Sequence, residues 1–244
     1  MTDRQFRRVE QLRAHEYVAE QIRRQIALGL IPSGEALPPE RELAKVFGVG
    51  RATVQHALRL LEAERLVETR RGRSGGTFVT GPVDDGIAVD RLLAKLRHER
   101  VRVREALIYR RVVEPEAAAE AATARTEGEL DAIREACRHA ASAATDADFI
   151  AHDTRFHLGV AEASRNRFFL EATEKLRLVL NEALVALPES PLWRERSTAE
   201  HVAVLRALEA RDGEGARRAM LAHVETTERS VSALLSALCP EPRA

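Results

Sequence analysis

Asp153 and His157 stand four residues apart in the segment AHDTRFHLGV, residues 151–160. In a helix that spacing puts a carboxylate and an imidazole on one face, a turn apart. The same face carries Phe149, Phe156 and Val160. A carboxylate on an apolar stripe needs a partner, because stranding it in a core costs several kcal/mol. Two more histidines have the same setting: His201 shares its face with Val204, Leu205 and Leu208, and His223 with Met220, Val224, Thr227, Val231 and Leu234. Three helices then each aim ligands inward, and Asp153, His157, His201 and His223 together offer one oxygen and three nitrogens. That set suits a divalent ion, Zn²⁺ first and Ni²⁺, Mn²⁺ or Fe²⁺ as alternatives, with room for water or a ligand carboxylate. A hydrogen-bonded Asp–His core pair without a metal uses the same residue types, and composition alone leaves both readings open. His15, His56, His98, His139 and His152 are read as ordinary surface or packing residues.

A second constellation is built from arginines near the start of the chain. Residues 10–28 carry Val18, Ile22 and Ile26 at helical spacing, with Gly29 at the stop. A short helix is expected from Pro39, with Glu40 and Glu42 in its first turn and Gly48 ending it, and the next runs through RATVQHALRLLEAE. Two short helices around a Gly-containing turn are a helix-turn-helix. Leu66 to Arg70 and Thr77 to Thr80 then read as strands around a Gly-rich turn, which completes a winged helix. A recognition helix enters the major groove by its N-terminal residues, here Arg51, Thr53 and Gln55. Arginine can bond guanine through two hydrogen bonds, glutamine can do so to adenine, and threonine suits a phosphate or a thymine methyl. Arg41 on the preceding helix reaches the same groove or its rim. Arg70, Arg71 and Arg73 at the wing tip, with Gly72 permitting close backbone approach, suit phosphates or the minor groove.

The whole chain supports this division. Its 244 residues favour two domains over one, and an apolar share of 45 % with only 4 % aromatic residues favours helices. The net charge of zero hides an asymmetry: residues 1–80 hold 14 Lys and Arg against 10 Asp and Glu, leaving 24 against 28 for the rest. Only the first part is expected to meet a polyanion. Cys137 and Cys239 are too few and too isolated for a disulfide framework, the first ten residues lack the apolar core of a signal peptide, and no stretch approaches a membrane span. A cytoplasmic protein with no membrane partner is expected. The expected organisation is a winged helix-turn-helix over 1–80, a Gly/Pro/Asp-containing linker over 81–90, and an all-α antiparallel bundle over 91–240. Its helices are placed at 87–97, 101–123, 127–143, 146–164, 167–187, 196–211 and 213–237, with LPESPL read as a turn.

The segment PSGEALPPERELAKVFGVGRATVQHALRLLEAERLVETRRGRSGGTFV resembles the DNA-binding domain of GntR-family bacterial regulators over most of residues 10–80. The resemblance places Arg41 and Arg51 on the family's base-reading arginines and Arg71, Gly72 and Arg73 on the wing tip. Gly50 stands where Ser or Thr usually caps the recognition helix, Gln55 where Arg is common, His56 where Glu is common, and Arg65 where Gly is usual. Residues 101–237 are similar to the helical effector domain of the FadR-type branch, the FCD domain, through RRVVEPEAAAEAA, DTRFHLGVAEASRN, AEHVAVLRAL and MLAHVETTERS. In metal-binding members of that branch the Asp and three His positions ligate the ion. The resemblance also implies that Arg110 meets the carboxylate of a small organic acid. The alternative for Arg110 is a helix-surface ion pair with Glu114.

These readings converge on a ligand-responsive transcription regulator, a repressor acting as a homodimer on a pseudo-palindromic operator. The alternatives are a metal-dependent hydrolase, for which no spare general base is evident, and an architectural DNA-binding protein without an effector, which leaves the inward Asp and His residues unexplained.

Overall fold

The computed structural model describes residues 13–72, 75–80, 86–188 and 190–239, with the backbone alone given for 86–88. Among them are ten helices and one two-stranded sheet, and the chain divides into two compact units, each with its own core. No helix among the described residues is long and apolar enough to cross a membrane.

The first unit contains α1 (Ala14–Ala27), α2 (Glu40–Phe47), α3 (Arg51–Ala63), β1 (Val67–Arg70) and β2 (Gly76–Val79). Val18 and Ile22 of α1, Leu43 of α2, Val54, Leu58 and Leu61 of α3, and Val67 and Val79 of the strands form its core. Gly48 ends α2 at φ +64°, its N–H returning to the carbonyls of Ala44 and Lys45. This conformation costs glycine nothing and turns the chain into α3 within three residues. Gly50 precedes α3 at φ −69° and ψ 151°, with no side-chain cap. β1 and β2 pair antiparallel, Val67 opposite Val79 and Arg70 opposite Gly76, and Ala36 bridges to Phe78 beside them. Arg65, at the position where the GntR resemblance implies glycine, lies at φ +59°.

The second unit is the bundle of α4 (Gly86–His98), α5 (Arg100–Ala124), α6 (Glu127–Ala141), α7 (Asp146–Ala163), α8 (Arg167–Val185), α9 (Pro191–Glu209) and α10 (Gly213–Leu238). Residues 86–90 of the expected linker are therefore helical. The helix expected from 196 starts at Pro191: Ser190 accepts a hydrogen bond from Trp193 N, and Pro191 occupies the first helical position, where its missing N–H is no loss. A sequence stretch rich in Pro and Ser was here a helix start rather than a turn. Side-chain caps also start α6 at Thr126, α7 at Thr145 and α10 at Asp212. Helix α5 packs against α7, α8, α9 and α10, so its inward face lies in the middle of the bundle.

Candidate functional site

The apolar residues of α3 fix which of its faces is inward, and Arg51, Gln55 and Arg59 are left on the exposed one. Thr53 is half-buried, and Arg41 is exposed in the first turn of α2. Gln55 Nε2 donates to Glu40 Oε2 at 2.8 Å. At the wing, Arg70 donates to Glu68 at 2.6 Å and lies 4.5 Å over the Phe78 ring, so it is more engaged than its sequence position suggested. Arg71 and Gly72 are exposed, and Gly72 takes φ +119°, a conformation that other residues rarely adopt. Arg73 lies outside the described residues.

In the bundle, the face of α7 bearing Phe149, Phe156 and Val160 is buried, and it carries Asp153 and His157 inward. Helices α9 and α10 bring His201 and His223 to the same place. None of the four is more than 3 % exposed. One candidate ligand atom from each lies within 4.8 Å of the others. His201 Nε2 is 3.1 Å and His157 Nε2 3.6 Å from Asp153 Oδ1, and the Nε2 atoms of His223 and His157 are 3.2 Å apart. Donors about 2.1 Å from one ion lie roughly 3 to 4 Å apart, so this spacing fits a divalent cation. Both ring nitrogens of His201 lack an aligned hydrogen-bond partner. Without a metal, its Nε2 contacts only the Asp153 carboxylate and its Nδ1 has no partner. The donor chemistry and spacing therefore fit a metal, which would engage one of the two His201 nitrogens.

A further set of polar residues lies against the four candidate ligands. His157 Nδ1 lies 2.8 Å from Glu114 Oε2, and His223 Nδ1 3.1 Å from Glu200 Oε2. A carboxylate on the outer nitrogen turns the other nitrogen's lone pair inward and makes it more basic, a usual support for metal-bound histidine. Arg110 Nε donates to Glu114 Oε1 at 2.9 Å, and its Nη2 sits 3.1 Å from His157 Nε2. The Arg110–Glu114 pair thus exists, but at 1 % and 2 % exposure it is no surface pair. From α8, Arg177 Nη2 donates to Asp153 Oδ2 at 2.5 Å and to Thr154 Oγ1 at 2.9 Å, while Asn181 Nδ2 donates to Thr154 Oγ1 at 3.2 Å. Arg177 Nε and Nη1 and Arg110 Nη1 have no hydrogen-bond partner.

The electrostatics follow from burial and these pairs. Burial works to raise the pKa of Asp153, but Arg177 and His157 outweigh it and hold the carboxyl well below its ordinary range. Glu114 is likewise depressed, against its burial, by Arg110 and His157. Burial pushes His201 down despite Asp153, and drives His223 well down with help from its two histidine neighbours. Neutral imidazoles facing an ionised carboxylate are the protonation states a metal requires.

Residues 14–79 match the family described as bacterial regulatory proteins, gntR family, and residues 105–226 match the FCD domain. The chain belongs to the GntR family. Among GntR relatives, it is 30 % identical to the HTH-type transcriptional regulator LutR of Bacillus subtilis over 82 % of this chain and 93 % of LutR. It is 29 % identical to the HTH-type transcriptional repressor NanR of Citrobacter rodentium over 91 % of this chain and 85 % of NanR. The solved structure of E. coli McbR/YncC shares the fold, with a TM-score of 0.51 at 19 % identity over 93 % of this chain and 99 % of that one. As a GntR protein with an FCD domain, the chain is a transcriptional regulator and not an enzyme, and its winged helix is a DNA-binding unit.

Reading the sequence for this GntR chain found the four candidate ligands and Arg110, all of which meet at one place. It missed Arg177, Glu200, Thr154 and Asn181, and placed the helix of Arg110 and Glu114 against the pocket while giving Glu114 a partner only in the alternative surface pair. For α8 the signal was available: Thr173, Arg177, Asn181 and Leu184 recur along the buried stripe at helical spacing, the pattern that exposed Asp153 and His157.

Proposed function

We propose that this regulator is a repressor whose operator binding is controlled by a small organic acid held at a metal site inside the FCD domain. The observation carrying this reading is the convergence of Asp153, His157, His201 and His223 with two buried arginines, Arg110 and Arg177, that have N–H groups left over. Without metal, the buried formal charges of Arg110, Arg177, Asp153 and Glu114 cancel when the histidines are neutral. A divalent ion, Zn²⁺ first and Ni²⁺, Mn²⁺ or Fe²⁺ as alternatives, adds two positive charges to a site closed from water. An anion is then the complementary ligand, and guanidinium groups bind carboxylates directionally. Bound metal would supply Lewis acidity to grip a carboxylate oxygen. Arg110 and Arg177 would orient the acid, Glu114 and Glu200 would hold the imidazoles, and the surrounding core would exclude water.

The domain roles follow. The winged helix, residues 1–80, reads DNA with Arg41, Arg51, Thr53 and Gln55 in the major groove and Arg70, Arg71, Gly72 and Arg73 at the wing. Residues 91–240 bind effector and hold a homodimer together, so that two winged helices match a pseudo-palindromic operator. The burial of Asp153, the three histidines, Arg110 and Arg177 means that an effector reaching the metal would require the helices around them to part. Its differential affinity for the two arrangements sets how far the population moves. The repressor sign is supported by the likeness to NanR, a named repressor.

The test has two arms. Purified protein is assayed for bound metal and for organic-acid release from its promoter DNA, with His201→Ala expected to lose both; a metal-free protein whose His201→Ala variant responds normally refutes the sensor. Arg51→Ala is expected to abolish specific promoter binding, and unchanged binding removes α3 as the reading helix.

A further inference from the structure

The Gln55 side chain is exposed at the second turn of α3, one turn beyond Arg51 on the same face. Its neighbour Glu40, from the first turn of α2, is half-buried and accepts a hydrogen bond from Gln55 Nε2 at 2.8 Å. A carboxylate only accepts hydrogen bonds, whereas an amide has a donating and an accepting end. Glu40 therefore tolerates one of the two amide orientations: the reverse would set the Gln55 carbonyl lone pairs against a negative charge. Of the two N–H groups on Nε2, engagement of the one beside Cγ leaves Oε1 and the other N–H side by side on the opposite edge. That edge is complementary to adenine, whose N6 amino group donates and whose N7 accepts in the major groove. An amide free to turn can instead offer both N–H groups to the two acceptors of guanine, or its carbonyl to the amino group of cytosine.

We propose that Glu40 is a specificity-determining positioning residue: it fixes the orientation of the Gln55 amide and so commits Gln55 to adenine at one position of each half-site. This rests on the reading of α3 as the recognition helix. Glu40 contributes no base contact of its own, and its charge on a DNA-facing surface weakens attraction to every phosphate equally. Positioning and simple electrostatics thus predict different things on its removal. Loss of the charge alone raises affinity for all sequences in the same proportion, whereas loss of positioning changes preference at one base pair.

The experiment selects bound sequences from a randomised duplex pool with the full-length protein, then measures binding to the selected site and its single-base variants. Wild type, Glu40→Gln and Gln55→Ala are compared, each checked for an intact melting transition. The wild type is expected to prefer adenine by about tenfold at one position per half-site, the scale of one two-point base contact. Glu40→Gln, whose amide accepts either orientation of Gln55, should cut that preference several-fold there alone while raising overall affinity. Gln55→Ala should remove the same preference. The proposal is overturned if Glu40→Gln keeps the adenine preference, or scales binding to all variants equally, or if Gln55→Ala alters no position. If the wild type selects no sequence at all, the recognition-helix reading fails with it, a result distinguishable from loss of one position.

Discussion

Replacing Arg177 with methionine separates the charge of Asp153 from its metal-free partner. Arg177 is fully buried, and its Nη2 lies 2.5 Å from an Asp153 oxygen that is itself shielded from water. Removing one member of such a pair costs about 3–5 kcal/mol, because the other is left as an uncompensated buried charge. Arg177 also carries Nε and Nη1 without partners, and deleting these orphaned donors returns roughly 1–2 kcal/mol. The net loss for the metal-free protein is then about 1–4 kcal/mol, centred near 2.5. At about 2–4 °C per kcal/mol for a unit of this size, the bundle should melt roughly 5–10 °C lower. A divalent ion held by Asp153 and the histidines, as proposed, would compensate the carboxylate in place of Arg177. The deficit should therefore shrink on metal addition, and Arg177→Met should gain more melting temperature from Zn²⁺ than the wild type does. Differential scanning calorimetry on chelator-stripped protein, titrated with Zn²⁺, reads both values. Equal deficits with and without metal would refute the idea that Asp153 divides its charge between Arg177 and an ion, and a Zn²⁺-induced rise that survives His201→Ala would place the ion elsewhere.

Other outcomes follow from single features. Arg65→Gly should stabilise the winged helix by about 0.5–1 kcal/mol in denaturant unfolding, because the left-handed conformation at φ +59° strains a residue with a Cβ by more than glycine's extra chain entropy costs; no gain in midpoint would show that Arg65 makes a compensating contact. His56, stacked on His15 at 3.8 Å, has its pKa lowered by desolvation and then by His15 and nearby arginines. The unfolded chain therefore binds the proton more readily, so this contribution to stability is intact above the unfolded value near 6.5 and is lost as pH falls below it. The winged-helix transition should drop between pH 7.5 and 5.5, and by less in His15→Gln; identical profiles would remove the stack as a cause. Succinate should tighten Zn²⁺ binding measured by calorimetry, and Zn²⁺ should tighten succinate by the same factor, with both effects reduced in Arg110→Ala; independent binding would undo the charge argument.

The winged helix was legible because each of its elements is punctuated by residues with a local reason. Gly48 ends α2 in a left-handed turn, Gly50 opens α3 without a cap, and Val67 and Val79 pair across the strands and are buried in the core. In the bundle, periodic apolar faces placed the helices to within a few residues, but local chemistry was ambiguous in one place. Ser190 and Pro191 serve a turn and a helix start equally well, and only the packing of α9 decides between them. The Glu40–Gln55 bond was hidden for a different reason. It joins an exposed and a half-buried residue on different helices, and nothing in their separate patterns marks them as neighbours.

The unequal legibility of the buried site has an electrostatic origin. Asp153 drew attention because a short carboxylate cannot reach water from an apolar face. Arg177 did not, because a long side chain on a helix ordinarily carries its charge out to solvent along its aliphatic stem. Length makes arginine's sequence position a poor guide to where its charge lies, whereas aspartate's position is nearly its location. Here the charge of Arg177 stays inside because Asp153 and Thr154 take hold of its Nη2, and the pair is neutral only as a pair. The same reasoning connects stability to sensing. In the proposed sensor, a metal at Asp153 would release Arg177 from neutralising that carboxylate, so the guanidinium that pairs with Asp153 here would become available to an incoming carboxylate.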